Sequence, residues 1–238
     1  MCGRFALLTH AEALVKRFKV EENIKRPEPR YNIAPTQNVT VVVQRETRQL
    51  TQMRWGLVPS WAKDVSIGNR MINARAETAA EKPAFRSAFK RRRCLVLADG
   101  FYEWQKIGSV KIPIHIRLKS REPFAFAGLY EYWETKSGKM LENCTIITTT
   151  PNELLTPIHS RMPVILNPED EDAWLNPDNQ NVKELQSMLM PYTTELMEAF
   201  EVSDFVNSPG NQGPLCIKPV EDKSQRLSEE MTIPSGSA

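Results

Sequence analysis

Short apolar runs, rich in β-branched and aromatic residues and separated by glycine, proline or polar turns, occupy most of this chain. Runs of this length and composition are typical of strands. The central predicted strands are Val39–Gln44, Leu50–Val58, Cys94–Ala98, Phe101–Lys106, Ile112–Leu118, Phe124–Tyr130 and Asn143–Thr149. An early strand is predicted at Gly3–Leu7, and late strands at Phe200–Val206 and Leu215–Lys218. So many strands in succession indicate a barrel or a folded sheet.

Helical spacing is confined to short segments. Thr9 followed by Glu12 forms a capping-box pattern and predicts a helix that runs to about Phe18. Further helices are predicted over Ala79–Lys90, regular from about Pro83, and over Pro168–Leu175 and Val182–Leu189. We therefore expect an α+β fold that is mostly β, with a central barrel-like folded sheet and several flanking short helices.

The length of the chain favours one domain. Its 238 residues, 41% of them hydrophobic, are enough for one sizeable core and few for two. From Glu221 the sequence is polar and offers little to bury, so we expect residues 221–238 to form a mobile tail. The predicted domain is therefore 1–220.

Charge and hydropathy exclude several classes of protein. The net charge of +2 is too small to predict a nucleic-acid partner by itself, so any basic groove must be local. The sequence has no run of eighteen apolar residues, and its first residues lack the pattern of a secretory signal. We expect an intracellular protein that does not cross a membrane.

The four cysteines show no metal-binding spacing, and we predict no metal site and no cofactor. Cys94, Cys144 and Cys216 lie in apolar runs, where a cysteine usually serves as a small buried hydrophobe. Cys2 differs because it follows the initiator methionine. In a reducing compartment it is expected to keep a free thiol.

Removal of Met1 would leave a free α-amine and a thiol on Cys2. An α-amine has a pKa near ~7.7–8.0, so about a tenth of it is neutral at pH 7, far more than of an ordinary lysine. Such an aminothiol can attack an aldehyde through nitrogen and then close a thiazolidine ring through sulfur, or it can attack an acyl group through sulfur. A chance cysteine beside the start codon is the alternative.

Three other residues could support this chemistry. Glu103 lies in an aromatic strand: facing inward it would have a raised pKa suited to a general acid or base, and facing outward it would only be solvated. His159 lies between Pro157 and Pro163, which restrict its loop, although it could equally be a surface histidine. Asn73 could orient a substrate oxygen or cap a helix that follows it.

Candidate nucleic-acid contacts are cationic and aromatic side chains, because single-stranded binders combine a positive track with stacking platforms. They are Arg4, Arg75, Arg86, Arg91–Arg93 and Arg161, with Trp55, Trp61 and Trp104 as possible stacking faces. The Arg91–Arg93 run is better explained as a solvated face that favours the dipole of a helix ending there.

Six motifs in order carry a resemblance to a known family. They are Met-Cys-Gly-Arg-Phe5, Arg30-Tyr-Asn-Ile-Ala-Pro35, Trp55-Gly-Leu-Val-Pro-Ser-Trp61, Ile72-Asn-Ala-Arg-Ala-Glu-Thr78, Asp99-Gly-Phe-Tyr-Glu-Trp104 and Ile158-His-Ser-Arg-Met-Pro163. From Cys2 to about Val220 the chain resembles the SRAP family, the SOS-response-associated peptidases. The fold it implies is a single SRAP-type domain.

The resemblance implies a protein of the DNA damage response that recognises abasic sites in single-stranded DNA and traps them as a covalent crosslink, a thiazolidine at C1′ of the opened sugar. Cys2 would be the nucleophile, and Asn73 would place it against the sugar. Glu103 would move protons to and from the α-amine, and His159 would promote sugar opening and later reversal. Hydrolase, protease or lyase activity, including release of the crosslink or of the protein's own first residue, is also associated with the family.

The resemblance also implies DNA contacts. Arg4, Arg75 and Thr148 correspond to phosphate or sugar contacts, and Pro35 and Trp61 to loops that separate the bases flanking the lesion. Some members have an arginine where this chain has Pro83, and Lys82 or Arg86 would replace it. The expected partner is single-stranded DNA, with the protein a monomer in the cytoplasm or nucleoid of a prokaryote or the nucleus of a eukaryote.

Two other functions fit parts of the sequence. Glutamine amidotransferases with an N-terminal nucleophile also begin Met-Cys-Gly, but this chain has no Asn-Gly-Glu oxyanion segment and no Gly-His-Thr-Arg-like loop. A non-catalytic, β-rich adaptor with an inert Cys2 is the other alternative.

Overall fold

A computed structural model of the chain describes residues 2–23 and 28–220. The strands are β1 (Phe5–Leu7), β2 (Glu22–Asn23), β3 (Arg30–Ile33), β4 (Asn38–Gln44), β5 (Arg48–Trp55), β6 (Asn73–Arg75), β7 (Arg93–Ala98), β8 (Gly100–Ile107), β9 (Val110–Leu118), β10 (Phe124–Glu134), β11 (Met140–Thr149), β12 (Met162–Pro163) and β13 (Met197–Glu201). The helices are α1 (Ala11–Arg17), α2 (Ala76–Ala79), α3 (Arg86–Arg91), α4 (Glu171–Leu175) and α5 (Val182–Ser187), with 3-10 turns at Val65–Arg70, Thr194–Leu196, Asp204–Asn207 and Pro214–Cys216. This mostly β content confirms the predicted fold class.

Five strands close the predicted barrel. They pair in the order β11, β10, β7, β4 and β5, and β5 then pairs back with β11 in parallel, with Asn143 opposite Arg54. The other pairings in the ring are antiparallel. Three consecutive valines on β4, Val41 to Val43, are fully buried, because both faces of that strand are covered. The short strands β6 and β12 add to β11.

A second sheet, in the order β13, β9, β8, β1 and β3, is antiparallel throughout. Its inner face packs on the barrel through Phe5, whose ring centroid lies 5.2 Å from that of Trp55 and 5.8 Å from that of Phe126. Because successive side chains of a strand point to opposite faces, Tyr102 joins a smaller apolar cluster on the outer face. Strand β8 therefore separates two environments.

Two predictions of late strands are wrong in whole or in part. The predicted strand Leu215–Lys218 is a 3-10 turn at Pro214–Cys216, because Pro214 has no amide proton to donate and Gly213 before it turns the chain at φ 122°. In Phe200–Val206 only the first two residues belong to β13, and a 3-10 turn follows at Asp204–Asn207.

Two helix predictions also need correction. Thr9 does not cap α1: the cap residue is His10, and the hydroxyl of Thr9 donates to Asp99 instead. The helix predicted over 79–90 is divided into α2 and α3, and regular helix begins at Arg86 rather than Pro83. The residues between them form turns, since a proline interrupts the ladder of amide donors.

The predicted burial of cysteines is confirmed, because Cys94, Cys144 and Cys216 have no exposed surface and are free thiols. Arg93 is not part of a solvated face: it is buried and donates to the carbonyl oxygens of Trp174 and Phe89. Within 2–23 and 28–220, no helix is long and apolar enough to cross a membrane. The predicted tail, 221–238, lies outside the described residues, and the domain boundary at 220 stays a prediction.

Candidate functional site

Cys2 lies immediately before β1 and is completely buried. Its thiol is 3.9 Å from the carbonyl oxygen of Arg4, and that oxygen also accepts from the amide of Tyr102 at 2.9 Å. Since Phe5 pairs with Phe101 in antiparallel register, the start of the chain runs alongside the part of β8 that carries Glu103.

Glu103 faces the interior rather than the solvent and is only 4% exposed. Burial raises the pKa of its carboxyl to about 7, while the positive α-amino group at the start of the chain acts in the opposite direction. A carboxyl with this pKa is present in both protonation states at neutral pH, so it can take up or release a proton there.

The thiol of Cys2, unlike the carboxyl of Glu103, does not ionise near neutral pH. Burial, and then the negative charge of Glu103, raise its pKa well above the ordinary value for a cysteine. The sulfur is therefore a neutral thiol at pH 7, and it becomes nucleophilic only when a base accepts its proton. The negative charge of Glu103 acts on Cys2, so this carboxyl lies within electrostatic reach of the thiol.

Asn73 lies on β6, which runs parallel to β11 with Asn73 opposite Ile146. Its side-chain amide donates to the carbonyl oxygen of Ile146 at 3.5 Å. Its Oδ1 is buried and accepts no hydrogen bond from the described residues. The helix-cap alternative is wrong, because the cap position of α2 belongs to Arg75. Asn73 thus offers an unused acceptor rather than a helix start.

His159 is half-buried in the loop between β11 and β12. The amide nitrogen and the carbonyl oxygen of Arg161 lie 3.0 and 3.2 Å from its Nδ1, so the backbone of Arg161 holds the ring at this nitrogen in either neutral tautomer. Burial, and then the positive α-amino group, lower the pKa of the imidazole. Gln105 on β8 donates to the carbonyl oxygen of Pro157 at 3.2 Å and ties this loop to the strand of Glu103.

The positive α-amino charge at the start of the chain acts on both Glu103 and His159, and the charge of Glu103 acts on Cys2. Cys2, Glu103 and His159 are therefore within electrostatic reach of the same part of the molecule. Asn73 is held separately by β11 and makes no hydrogen bond to the other three within the described part of the chain. Sequence inspection missed Gln105, whose position two residues after Glu103 on the same strand was the available signal.

Arg161 and Thr148, two predicted DNA contacts, are engaged inside the protein. Arg161 makes a bidentate ion pair with Glu77 at 2.6 and 2.9 Å and donates to the backbone oxygen of Thr148 at 2.6 Å. The hydrogen bond from Arg161 lowers the pKa of Glu77. The buried hydroxyl of Thr148 donates to the carbonyl oxygen of Ala74 at 3.4 Å. These contacts connect β6, β11 and the loop of His159.

Arg4 also has protein partners. Its guanidinium donates to Oδ1 of Asn32 at 2.7 Å and to the carbonyl oxygen of Val206 at 2.8 Å, and it lies 5.6 Å from the ring centre of Trp104. Asn32 is completely buried and was missed by sequence inspection, although a polar residue between Tyr31 and Ile33 in a strand is a recognisable signal. Arg4 therefore holds the start of the chain in place.

The remaining DNA candidates lie on the surface. Arg75, Lys82 and Arg86 are exposed, Trp61 is 61% exposed, and Pro35 is partly covered. Arg75 is near the site because it follows Asn73 on β6. In the described ranges, no group of three or more His, Cys, Asp or Glu residues is suited to hold a metal ion.

Comparison with known proteins shows which family and which proteins this chain is similar to. The profile of the family described as SOS response associated peptidase (SRAP) matches residues 1–209. The chain is 50% identical over 222 residues to the abasic site processing protein YoqW of Bacillus subtilis strain 168, covering 92% of this chain and 99% of that protein. It is 32% identical to the abasic site processing protein HMCES of Gallus gallus, covering 93% of this chain and 78% of that protein.

A crystal structure of a protein from Bacteroides thetaiotaomicron superposes with a TM-score of 0.83 at 30% identity, covering 92% of this chain and all of that one. The chain belongs to the SRAP family.

Proposed function

We propose that this protein captures abasic sites in single-stranded DNA by forming a thiazolidine with Cys2 after Met1 has been removed. The observation that carries the proposal is the buried Glu103, with a pKa near neutrality, beside the thiol of Cys2 and the start of the chain. Relatives named as abasic site processing proteins support the choice of substrate.

The reaction balances without an oxidant or a cofactor. The neutral α-amine attacks C1′ of the ring-opened sugar, and loss of one water gives an imine. The sulfur of Cys2 then adds to the imine carbon, the thiol proton leaves, and the imine nitrogen gains a proton. Glu103 accepts the proton from the attacking amine and can pass it on, because its pKa lies close to those of the groups between which it moves the proton.

The other two site residues have separate roles. Asn73 would accept a hydrogen bond from the α-amine or a sugar hydroxyl through its unused Oδ1, which positions the reacting groups. His159, neutral because burial lowers its pKa, would remove a proton from the sugar to open the ring and return one during reversal. Substitution of Asn73 or His159 should change the rate of crosslinking or reversal more than it changes the affinity for DNA.

The strand of DNA would cross the surface beside β6 and the loop of His159. The residues proposed to contact or orient it are Arg4, Pro35, Trp61, Arg75, Lys82, Arg86, Thr148 and Arg161. Arg75, Lys82 and Arg86 supply the exposed charges, whereas Arg4, Thr148 and Arg161 act mainly by shaping the site through the protein contacts described above. We expect the protein to act as a monomer.

The test is a denaturing gel of the protein mixed with a uracil-containing single strand that has been treated with uracil glycosylase. The wild-type protein should give a shifted band that survives denaturation, and Cys2→Ala should give none. Cys144→Ala is the matched control, since Cys144 is equally buried but lies in the barrel and should leave the band unchanged. Absence of the wild-type band would refute the proposal.

The amidohydrolase alternative makes a different prediction. A glutaminase would release ammonia from glutamine in a coupled assay, with the thiol of Cys2 as its nucleophile. That thiol is neutral and buried here, which favours the amine-initiated reaction. Peptidase activity, if the crosslink is released hydrolytically, would appear as the slow return of free protein and DNA from the purified adduct.

A further inference from the structure

A cavity of about 290 Å³ lies on the outer face of the second sheet, on the side of β8 away from Glu103. Ala6 on β1 lines it, and the small side chain of this residue leaves room at the surface of the sheet. Leu8 and Ile217 add apolar walls. The hollow therefore lies between the outer face of the sheet and the connecting segments that carry Leu8, Arg121 and Ile217.

His115 forms one wall of this cavity and is only 3% exposed. Its Nε2 and Cε1 lie above Gly100, at 2.4 and 2.7 Å from the position where a Cβ on that residue would stand. The ring is fixed between Tyr102 and Phe200, with centroid distances of 4.9 and 5.4 Å. Neither ring nitrogen has a hydrogen-bond partner in 2–23 and 28–220. Buried polar groups are rarely left in this state.

The imidazole of His115 is neutral. Burial, and then the positive charge of Arg117, lower its pKa to about 3, so near pH 7 it offers one N–H donor and one acceptor. A ligand hydroxyl, which can either donate or accept, can pair with one of these unused nitrogens in whichever role that nitrogen has.

The charged walls select the rest of the ligand. Arg117 donates through Nε to Glu198 at 2.7 Å, and Nε of Arg121 lies 3.4 Å from the same carboxylate. Asp99 accepts from the amide and hydroxyl of Thr9 at 2.8 and 2.7 Å. The two guanidiniums and the two carboxylates together carry no net charge, so the cavity does not favour a dianion such as phosphate. The guanidiniums still offer planar donors that match one carboxylate.

We propose that this cavity binds a small hydroxycarboxylate, with its carboxylate on Arg117 and Arg121, its hydroxyl on His115 and its carbon skeleton over Ala6 and Ile217. The cavity is at the lower end of the size range of small-molecule sites, which fits a molecule of a few carbon atoms. The site lies on the opposite face of β8 from Glu103 and stands independently of the reaction proposed for Cys2.

The probe is lactate, titrated into the full-length protein with ¹⁵N-labelled histidine side chains. The chain has three histidines, so the ring signals of His115 can be assigned from His115→Phe. Lactate should shift the His115 nitrogens in a saturable manner, and propionate, which lacks the hydroxyl, should bind about tenfold more weakly because one hydrogen bond is lost. Inorganic phosphate should compete poorly.

One test variant and one control variant decide the outcome. Arg121→Gln removes a largely exposed guanidinium and should weaken lactate binding about tenfold without affecting the fold, since charge-assisted bonds are the strong ones. Lys119→Gln removes an exposed charge that does not line the cavity and should bind as the wild type does. Tighter binding of phosphate than of lactate, equal losses in both variants, or no shift of His115 at saturating lactate would each overturn the proposal.

Discussion

The two faces of the second sheet bury titratable groups of opposite kind, and the comparison shows what burial does to each. Glu103 on the inner face and His115 on the outer face are 4% and 3% exposed. Burial drives both toward their neutral forms, raising the pKa of the carboxyl to about 7 and lowering that of the imidazole to about 3. The same physical effect thus brings one group into the neutral pH range and takes the other out of it.

The consequence is a division of roles. Glu103 can exchange a proton with an amine at physiological pH, so it is suited to chemistry. His115 stays neutral across that range and can only form hydrogen bonds, so it is suited to recognition. Histidine is usually the residue examined first for acid–base catalysis, yet of these two residues on neighbouring strands the glutamate has the appropriate pKa.

Replacing Glu103 or His115 with a side chain that cannot ionise should give the largest difference in crosslinking rate between two variants. Glu103→Gln should slow crosslinking to an abasic single strand about a hundredfold, because it removes the proton acceptor, whereas His115→Phe should leave the rate unchanged. The measurement is the rate of appearance of the denaturation-resistant band under single-turnover conditions.

The pH profile provides the control for that experiment. As a base, Glu103 acts when ionised, so the wild-type rate should rise with pH through about 7, and this inflection should be absent in Glu103→Gln. If Glu103→Gln retains the inflection, Glu103 is not the group that titrates.

The two groups should also give stability slopes of opposite sign. The pKa of Glu103 is higher in the folded state, so its contribution is fully present below about 4.5 and is lost as pH rises through about 7, on the order of 3 kcal/mol. The pKa of His115 is lower in the folded state, so its contribution is present above about 6.5 and is lost as pH falls toward about 3, on the order of 5 kcal/mol.

Denaturant unfolding between pH 4 and 8 measures these slopes. Glu103→Gln should flatten the loss of stability on the alkaline side, and His115→Phe should flatten the loss on the acid side. Equal pH profiles for His115→Phe and the wild type would show that His115 is not buried in the neutral form.

The smallest expected effect concerns the contact between the two strands on the outer face. Gly100→Ala would place its Cβ 2.4 Å from Nε2 of His115, so the ring must move, at a cost of about 1–3 kcal/mol in unfolding free energy. In a His115→Ala background the added cost should be smaller, because the carbonyl oxygen of Ile116 at 3.0 Å is then the main remaining obstacle. Purely additive changes in a double-mutant cycle would contradict the contact.

Much of this architecture could be predicted from the sequence, because the strands are continuous apolar runs whose burial is dictated locally. The barrel strands β4, β7, β10 and β11 were predicted nearly in place. The face on which Glu103 lies could not be predicted, since alternation allows either face until the neighbouring strand is known. The face on which Glu103 lies becomes clear only in the folded structure, where the start of the chain lies beside β8.

Other features depend on contacts between distant segments, which local patterns do not contain. Thr9 looks like a helix cap, but Asp99, ninety residues away, takes its hydroxyl. Arg93 looks like a solvated charge, but the carbonyl oxygens of Trp174 and Asn176 surround it. In both cases a tertiary partner replaces the expected local one.

The hydrogen bond between Arg4 and Val206 joins residues 202 positions apart. Asn32, which holds the same guanidinium, also donates to the backbone oxygens of Ser208 and Asn211. The reacting end of the polypeptide and the segment 206–211 are therefore expected to open as one cooperative unit, and amide protons in both should exchange with deuterium together.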